Sequence, residues 1–193
     1  MQCAKCEQRD CYLKGKECTN GKYGMEQEYL KEENAILHKA SSRVEAEHYM
    51  QMTRLEEIIE FSKLVGFQRL GIAFCIGFGR EANLLQQVLE KHFKVYSVCC
   101  KCTGTSKEKY GLKHIIPERY EAMCNPIGQA EILNNKATDL NIILGLCIGH
   151  DILFTKYCNA PVTTFAVKDR VLAHNPLGAL YSSYYLNKKF GLK

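Results

Sequence analysis

The sequence predicts an α/β domain built on a mainly parallel sheet of four or five strands, with a cysteine-rich metal-binding segment ahead of it. Three observations carry that reading. Short continuous apolar runs alternate with helical stretches, those runs lack the apolar–polar alternation of a half-exposed sheet, and the first 24 residues hold four cysteines but almost no large aliphatics. Continuous apolar strands separated by helices are strands covered on both faces. A segment without aliphatic side chains cannot fold around a core of its own and needs a metal or a host surface.

The elements follow in order. Residues 1–24, with Cys3, Cys6, Cys11 and Cys18 among polar residues and Gly15, Gly21 and Gly24, form the metal-binding segment; 25–193 form the α/β domain. From Met25 to Val65 the composition turns to Glu, Leu, Ala, Met and Ile, and Met52, Leu55, Ile58, Phe61 and Val65 keep a three-to-four spacing up to Gly66. This predicts one long helix or two, broken near Ser41-Ser42. Arg69–Cys75 is the first strand, a helix covers Glu81–His92, and Val95–Cys99 is the second strand. Asn125-Pro126 supplies a cap and a first-turn proline for a helix running to about Asn135. Leu140–Leu146 and Val162–Val167 are the third and fourth strands, and a last helix starts near Pro176, with Tyr181, Tyr184 and Tyr185 assigned to core packing. The arrangement is Rossmann-like, in three layers.

Composition narrows the function. A chain of 193 residues with 46% hydrophobic and 24% charged residues folds as one compact domain with an appendage. Its net charge of +5 is spread along the chain, so nothing selects a nucleic acid. No apolar run reaches the roughly eighteen residues that cross a bilayer, and the start lacks a signal peptide's apolar stretch. A cytoplasmic protein with no membrane partner is expected. Eleven cysteines in a reducing compartment point to metal or redox chemistry rather than to a disulfide scaffold.

The spacing Cys3-x2-Cys6-x4-Cys11-x6-Cys18 offers four thiolates within sixteen residues, a ligand set for an iron-sulfur cluster of the 4Fe-4S type or for a tetrahedral zinc. The short, uneven gaps favour iron-sulfur. A second group falls at the predicted carboxyl ends of the strands, where ligands of such sheets bind. Cys75 closes the first strand, Cys99, Cys100 and Cys102 the second, and Cys147 the third, while Cys124 precedes a helix whose amides would stabilise its thiolate. These are candidate ligands of a second metal or cluster, or reactive thiols. Cys158 is assigned to the core.

Gly77-Phe78-Gly79-Arg80-Glu81-Ala82 matches the G-x-G-x-x-A dinucleotide pattern, but the next strand ends in cysteines where a ribose-binding acid belongs. Gly77 and Gly79 therefore read as a close backbone approach to a cofactor or anion. His150 is a candidate proton carrier, and Asp151 a cap for the helix beside it. Lys168 and Arg170 either bind an anionic substrate or pair with Asp169.

With Ala73-Phe74-Cys75-Ile76-Gly77, Cys99-Cys100-Lys101, Cys124-Asn125-Pro126-Ile127, Gly145-Leu146-Cys147-Ile148-Gly149-His150-Asp151 and the run Val167–Pro176, the chain resembles an uncharacterised, cysteine-rich prokaryotic family, domain of unknown function 1847. The resemblance, which extends to the N-terminal cysteines, implies metal binding and no particular reaction. The expected function is an iron-sulfur protein that performs redox or sulfur-transfer chemistry on a small substrate at the sheet edge, with Cys100, His150, Lys168 and Arg170 as its catalytic residues. Its partners would be that small molecule or an electron-transfer protein; a homo-oligomer is compatible with the sequence. The alternative is a non-catalytic zinc-binding module acting as a metal carrier, sensor or interaction protein.

Overall fold

The computed structural model describes residues 1–192. Residues 1–24 contain only a short 3-10 turn at Cys3–Lys5 and the one-turn helix α1 (Asp10–Leu13), and none of their side chains is buried. Beyond them come α2 (Glu26–Leu30), α3 (Glu32–Glu47) and α4 (Arg54–Val65). The helical region is thus broken at Lys31 and over residues 48–53, and α3 runs straight through Ser41-Ser42, where the break was expected. The cause is local. Met50 adopts a left-handed φ of 58°, and Thr53 opens α4 with a capping box in which its hydroxyl accepts from the Glu56 amide while the Glu56 carboxylate accepts from the Thr53 amide.

The sheet follows as β1 (Arg69–Phe74), β2 (Lys94–Cys99), β3 (Leu140–Leu144) and β4 (Val162–Ala166), all parallel, in the order β2-β1-β3-β4. The connecting helices are α5 (Gly79–Leu89), α6 (Pro126–Asn135) and α7 (His150–Tyr157). Right-handed crossovers in this order put α5 on one face and α6 and α7 on the other, and α6 packs against α7. The fold is α/β, a Rossmann-like arrangement on an all-parallel four-stranded sheet. Among the described residues, no helix is long and apolar enough to cross a membrane.

The core lies where the apolar runs predict it. Leu70, Ile72, Leu89, Leu133, Ile142, Leu144 and Phe154 are fully buried, and every residue of β3 is buried. Each such side chain is worth about 1.5–3 kcal/mol of transfer free energy. The sheet and α6 approach closely at Gly71, where a Cβ would collide with the Asn141 amide oxygen and the Leu133 side chain. Cys158 packs against this core and accepts a hydrogen bond from Asn141 Nδ2 at 3.4 Å. The C-terminus differs from expectation. A single turn α8 (Gly178–Tyr181) and a π-helical stretch at Tyr184–Lys189 replace one regular helix, and Tyr181 and Tyr184 are 79% and 56% exposed rather than core. Their spacing fits a helix face, but that face is left exposed.

Two features align the strand ends. Phe74 stands opposite both Cys99 and Leu144 in register, so the residues after β1, β2 and β3 emerge at one level. Gln129, wholly buried on α6, donates from Nε2 to the carbonyls of Phe74 (3.2 Å) and Val98 (2.6 Å), tying β1 to β2 just before Cys75 and Cys99.

Candidate functional site

The strand order reverses direction between β1 and β3, and in an open α/β sheet the crevice at that point is where ligands bind. Cys75 follows β1 and Cys147 follows β3, one on each side of it. Backbone bonds hold the rim together: the Cys75 amide donates to Leu144 O (3.2 Å), the Cys100 amide to Phe74 O (2.8 Å) and the Gly145 amide to Ala166 O (2.7 Å). Residues 100–125 leave the sheet as a long excursion whose neck is closed by the Asn125 amide donating to Cys100 O (2.8 Å). That closure sets Cys124 beside Cys100.

Three sulfurs meet there. Cys100, 2% exposed, lies within hydrogen-bonding range of both Cys75 and Cys124, and its sulfur accepts from the Ile76 amide at 3.3 Å. The three sulfurs are linked through Cys100. Hydrogen bonding to Cys124 and Cys75, with burial, keeps the Cys100 proton on and drives its pKa up. The Cys100 hydrogen bond holds Cys75 down to about 4, helped by the Gly77 amide and Lys168, and holds Cys124 down to about 5, helped by Lys101 and His150. The pattern is one thiol between two thiolates. Cys124 was expected to draw on the amides of α6; its stabilisation comes instead from Cys100 and Lys101, while Asn125 caps α6 as predicted, accepting from the Gly128 amide at 2.8 Å.

Cations surround these sulfurs. Arg170 Nη2 donates to Cys147 Sγ at 3.1 Å and also feels the charges of Cys75 and Cys124. Lys168 hydrogen-bonds Cys75 and lies 4.4 Å from the centre of the Phe78 ring. Neither cation pairs with Asp169, whose carboxylate instead accepts from the amides of Val171 and Leu172. His150, the first residue of α7, faces Cys124. Asp151 is not the cap; that position belongs to Gly149, with φ of 84°.

Gly77 lies in the 3-10 turn Ile76–Phe78 between β1 and α5, and Gly79 is the first residue of α5. A Cβ on Gly77 would sit 3.1 Å from Lys168 Nζ, whereas Gly79 has open space around it. The glycine that the site does require is Gly145, with φ of 66° and the Phe78 ring where a Cβ would go. Phe78 is buried between Gly145, His174 (ring centroids 4.5 Å apart) and Lys168. Phe78, Gln129, Lys101 and Gly145 were not among the residues expected to build the site. Of the expected set, Cys75, Cys100, Cys124, Cys147, His150, Lys168 and Arg170 come together, while Cys99 and Cys102, one residue before and two after Cys100, form a separate pair.

In the N-terminal segment Cys3, Cys6, Cys11 and Cys18 are all exposed. Cys6 accepts from the backbone amides of Arg9 and Gln8, which lowers its pKa, and Cys18 lies close enough to Cys11 and Cys6 for their charges to raise its own, beyond the effect of desolvation. Among the described residues, no three Cys, His, Asp or Glu side chains already form a ligand set for a metal ion.

A family model matches residues 15–165, and its description is "Protein of unknown function (DUF1847)". The chain belongs to this family. It is also 57% identical over 189 residues, 97% of either chain, to an uncharacterized protein of Methanocaldococcus jannaschii. No solved structure matches it. The matched stretch carries Cys18 and all the sulfurs of the sheet edge, whereas Lys168 and Arg170 lie beyond its end.

Proposed function

We propose that the protein binds an iron-sulfur cluster through Cys3, Cys6, Cys11 and Cys18 and carries out redox or sulfur-transfer chemistry on a small anionic substrate at the sheet edge. The observation that carries this reading is the convergence of Cys75, Cys100, Cys124 and Cys147, delivered by the three connections that follow β1, β2 and β3, onto the switch point of the sheet among Lys101, Lys168, Arg170 and His150. Structural packing alone does not call for two thiolates, a thiol between them and four surrounding cationic or titratable side chains at one crevice.

The donor set of the N-terminal segment suits a thiolate-ligated centre. It supplies four sulfurs on a stretch with no buried side chain, and two amides already point at Cys6, as amides do toward ligated sulfurs. Such a centre would supply one-electron transfer. At the sheet edge, Cys75 and Cys124 provide thiolates for nucleophilic attack or metal ligation, Cys100 provides the proton for a leaving group, His150 carries a replacement proton in from solvent, and Lys168 and Arg170 hold the anionic end of the substrate.

Purification without oxygen, followed by measurement of iron, zinc and acid-labile sulfide per chain and of the visible spectrum, tests this. About four iron and four sulfide correspond to one cubane, and about eight to a second at the sheet edge. About one zinc without sulfide would make the N-terminus a structural knuckle and overturn the redox reading in favour of a zinc-binding module. If the count is eight, the Cys75→Ala/Cys147→Ala double variant should fold and fall to four.

A further inference from the structure

Cys99 and Cys102 take no part in the thiol site described above. Successive side chains at a strand end face opposite ways. Cys100 turns inward to Cys75 and Cys124, Cys99 is half-buried and Cys102 is exposed. The chain then folds back: the Cys102 amide donates to Cys99 O at 3.1 Å and the Gly104 amide to Lys101 O at 3.0 Å. A turn closed by such a bond brings its end Cα atoms within about 7 Å, and disulfides span Cα separations of about 4.4–6.8 Å. Desolvation raises the Cys102 pKa above its ordinary value and the charge of Cys99 raises it further, which places the two sulfurs close together. The Lys101 amide donates to Cys99 Sγ at 3.5 Å, and Lys101 Nζ is tied to Ala122 O across the excursion, which keeps the turn from spreading.

We propose that Cys99 and Cys102 are a redox-active dithiol that exchanges an electron pair with external disulfides. The exposed Cys102, as thiolate, attacks one sulfur of a disulfide R–S–S–R; a mixed disulfide forms and the first RS⁻ leaves and takes up a proton. Cys99, whose sulfur accepts from the Lys101 amide, then loses its proton and attacks Cys102 Sγ, closing the Cys99–Cys102 bond and releasing the second RS⁻, which is protonated in turn. Two thiols are oxidised and one external disulfide is reduced to two thiols. Run in reverse with an external dithiol, the same steps reopen the bridge.

The full-length protein, purified without oxygen, is equilibrated with graded ratios of oxidised to reduced dithiothreitol, quenched in acid, alkylated and mapped by peptide mass spectrometry. A Cys99–Cys102 bridge should appear in one transition, its ratio to the open form rising in proportion to the reagent ratio. Cys99→Ser and Cys102→Ser should each abolish the transition, and Cys99→Ser should trap Cys102 as a mixed disulfide with oxidised glutathione. In Cys100→Ser the Cys99–Cys102 transition should remain. Absence of the bridge at the most oxidising ratio, a bridge from Cys99 to Cys100, or pairing of Cys102 with any other cysteine would overturn the proposal. So would the loss of about one metal ion per chain in Cys102→Ser, which would make the pair ligands. Iron and sulfide counts report on the N-terminal centre independently, so this pair stands or falls apart from the cluster.

Discussion

At the scale of single residues, Cys100 governs the site. It is the buried donor that leaves Cys75 and Cys124 as thiolates. A pKa of about 5 at Cys124 means that its thiolate is present throughout the neutral range and is lost only as pH falls through about 5, so alkylation of Cys124 in the metal-free protein should be nearly flat from about pH 6.5 to 9. In Cys100→Ala the Cys124 pKa rises, and the rate should drop about tenfold per pH unit below it, because only the thiolate attacks. A profile that stays flat in the variant would show that Cys100 is not the cause. That seven polar or sulfur side chains meet here was legible in outline, since each stands at the end of a continuous apolar run or in the loop that follows. What was not legible is which sulfur keeps its proton, because that depends on contacts between residues 24 and 25 positions apart. The separation of Cys99 and Cys102 from Cys100 could have been read, because neighbouring residues at a strand end cannot face the same way.

At the scale of elements, the strands were legible because β1, β3 and β4 are short apolar runs bounded by glycine or polar residues, and the observed ends differ by one or two positions. The helix break was misplaced although its signal was present: Thr53-Arg54-Leu55-Glu56 is a capping-box sequence just ahead of an apolar periodicity. Its removal has a calculable cost. Thr53→Ala should destabilise the protein by about 1 kcal/mol, lowering Tm by roughly 2–4 °C in a chain of this size, and an unchanged melting curve would mean that α4 is held by packing alone. Gln129 carries no such sequence signal. A glutamine on a helix with a buried face becomes a clamp only when two strand carbonyls happen to lie beneath it.

At the scale of the whole molecule, the chain consists of a body organised by a hydrophobic core and a leading segment that has none. The two should respond differently to metal removal. If the proposed N-terminal centre forms, a chelator that strips it should open Lys14, Lys16 and Lys22 to trypsin within minutes while far-UV circular dichroism and the main melting transition persist; concerted loss of both would mean that the segment is part of the core's cooperative unit. Within the body, the ring of Phe78 is gripped by the turn after β3 through Gly145, by the segment after β4 through Lys168 and His174, and belongs itself to the turn after β1. A peg shared by three loops leaves none of them free to be exchanged alone. Grafting the site onto another doubly wound scaffold would therefore require all three to be carried across together, and lengthening or shortening any one would misalign the other two.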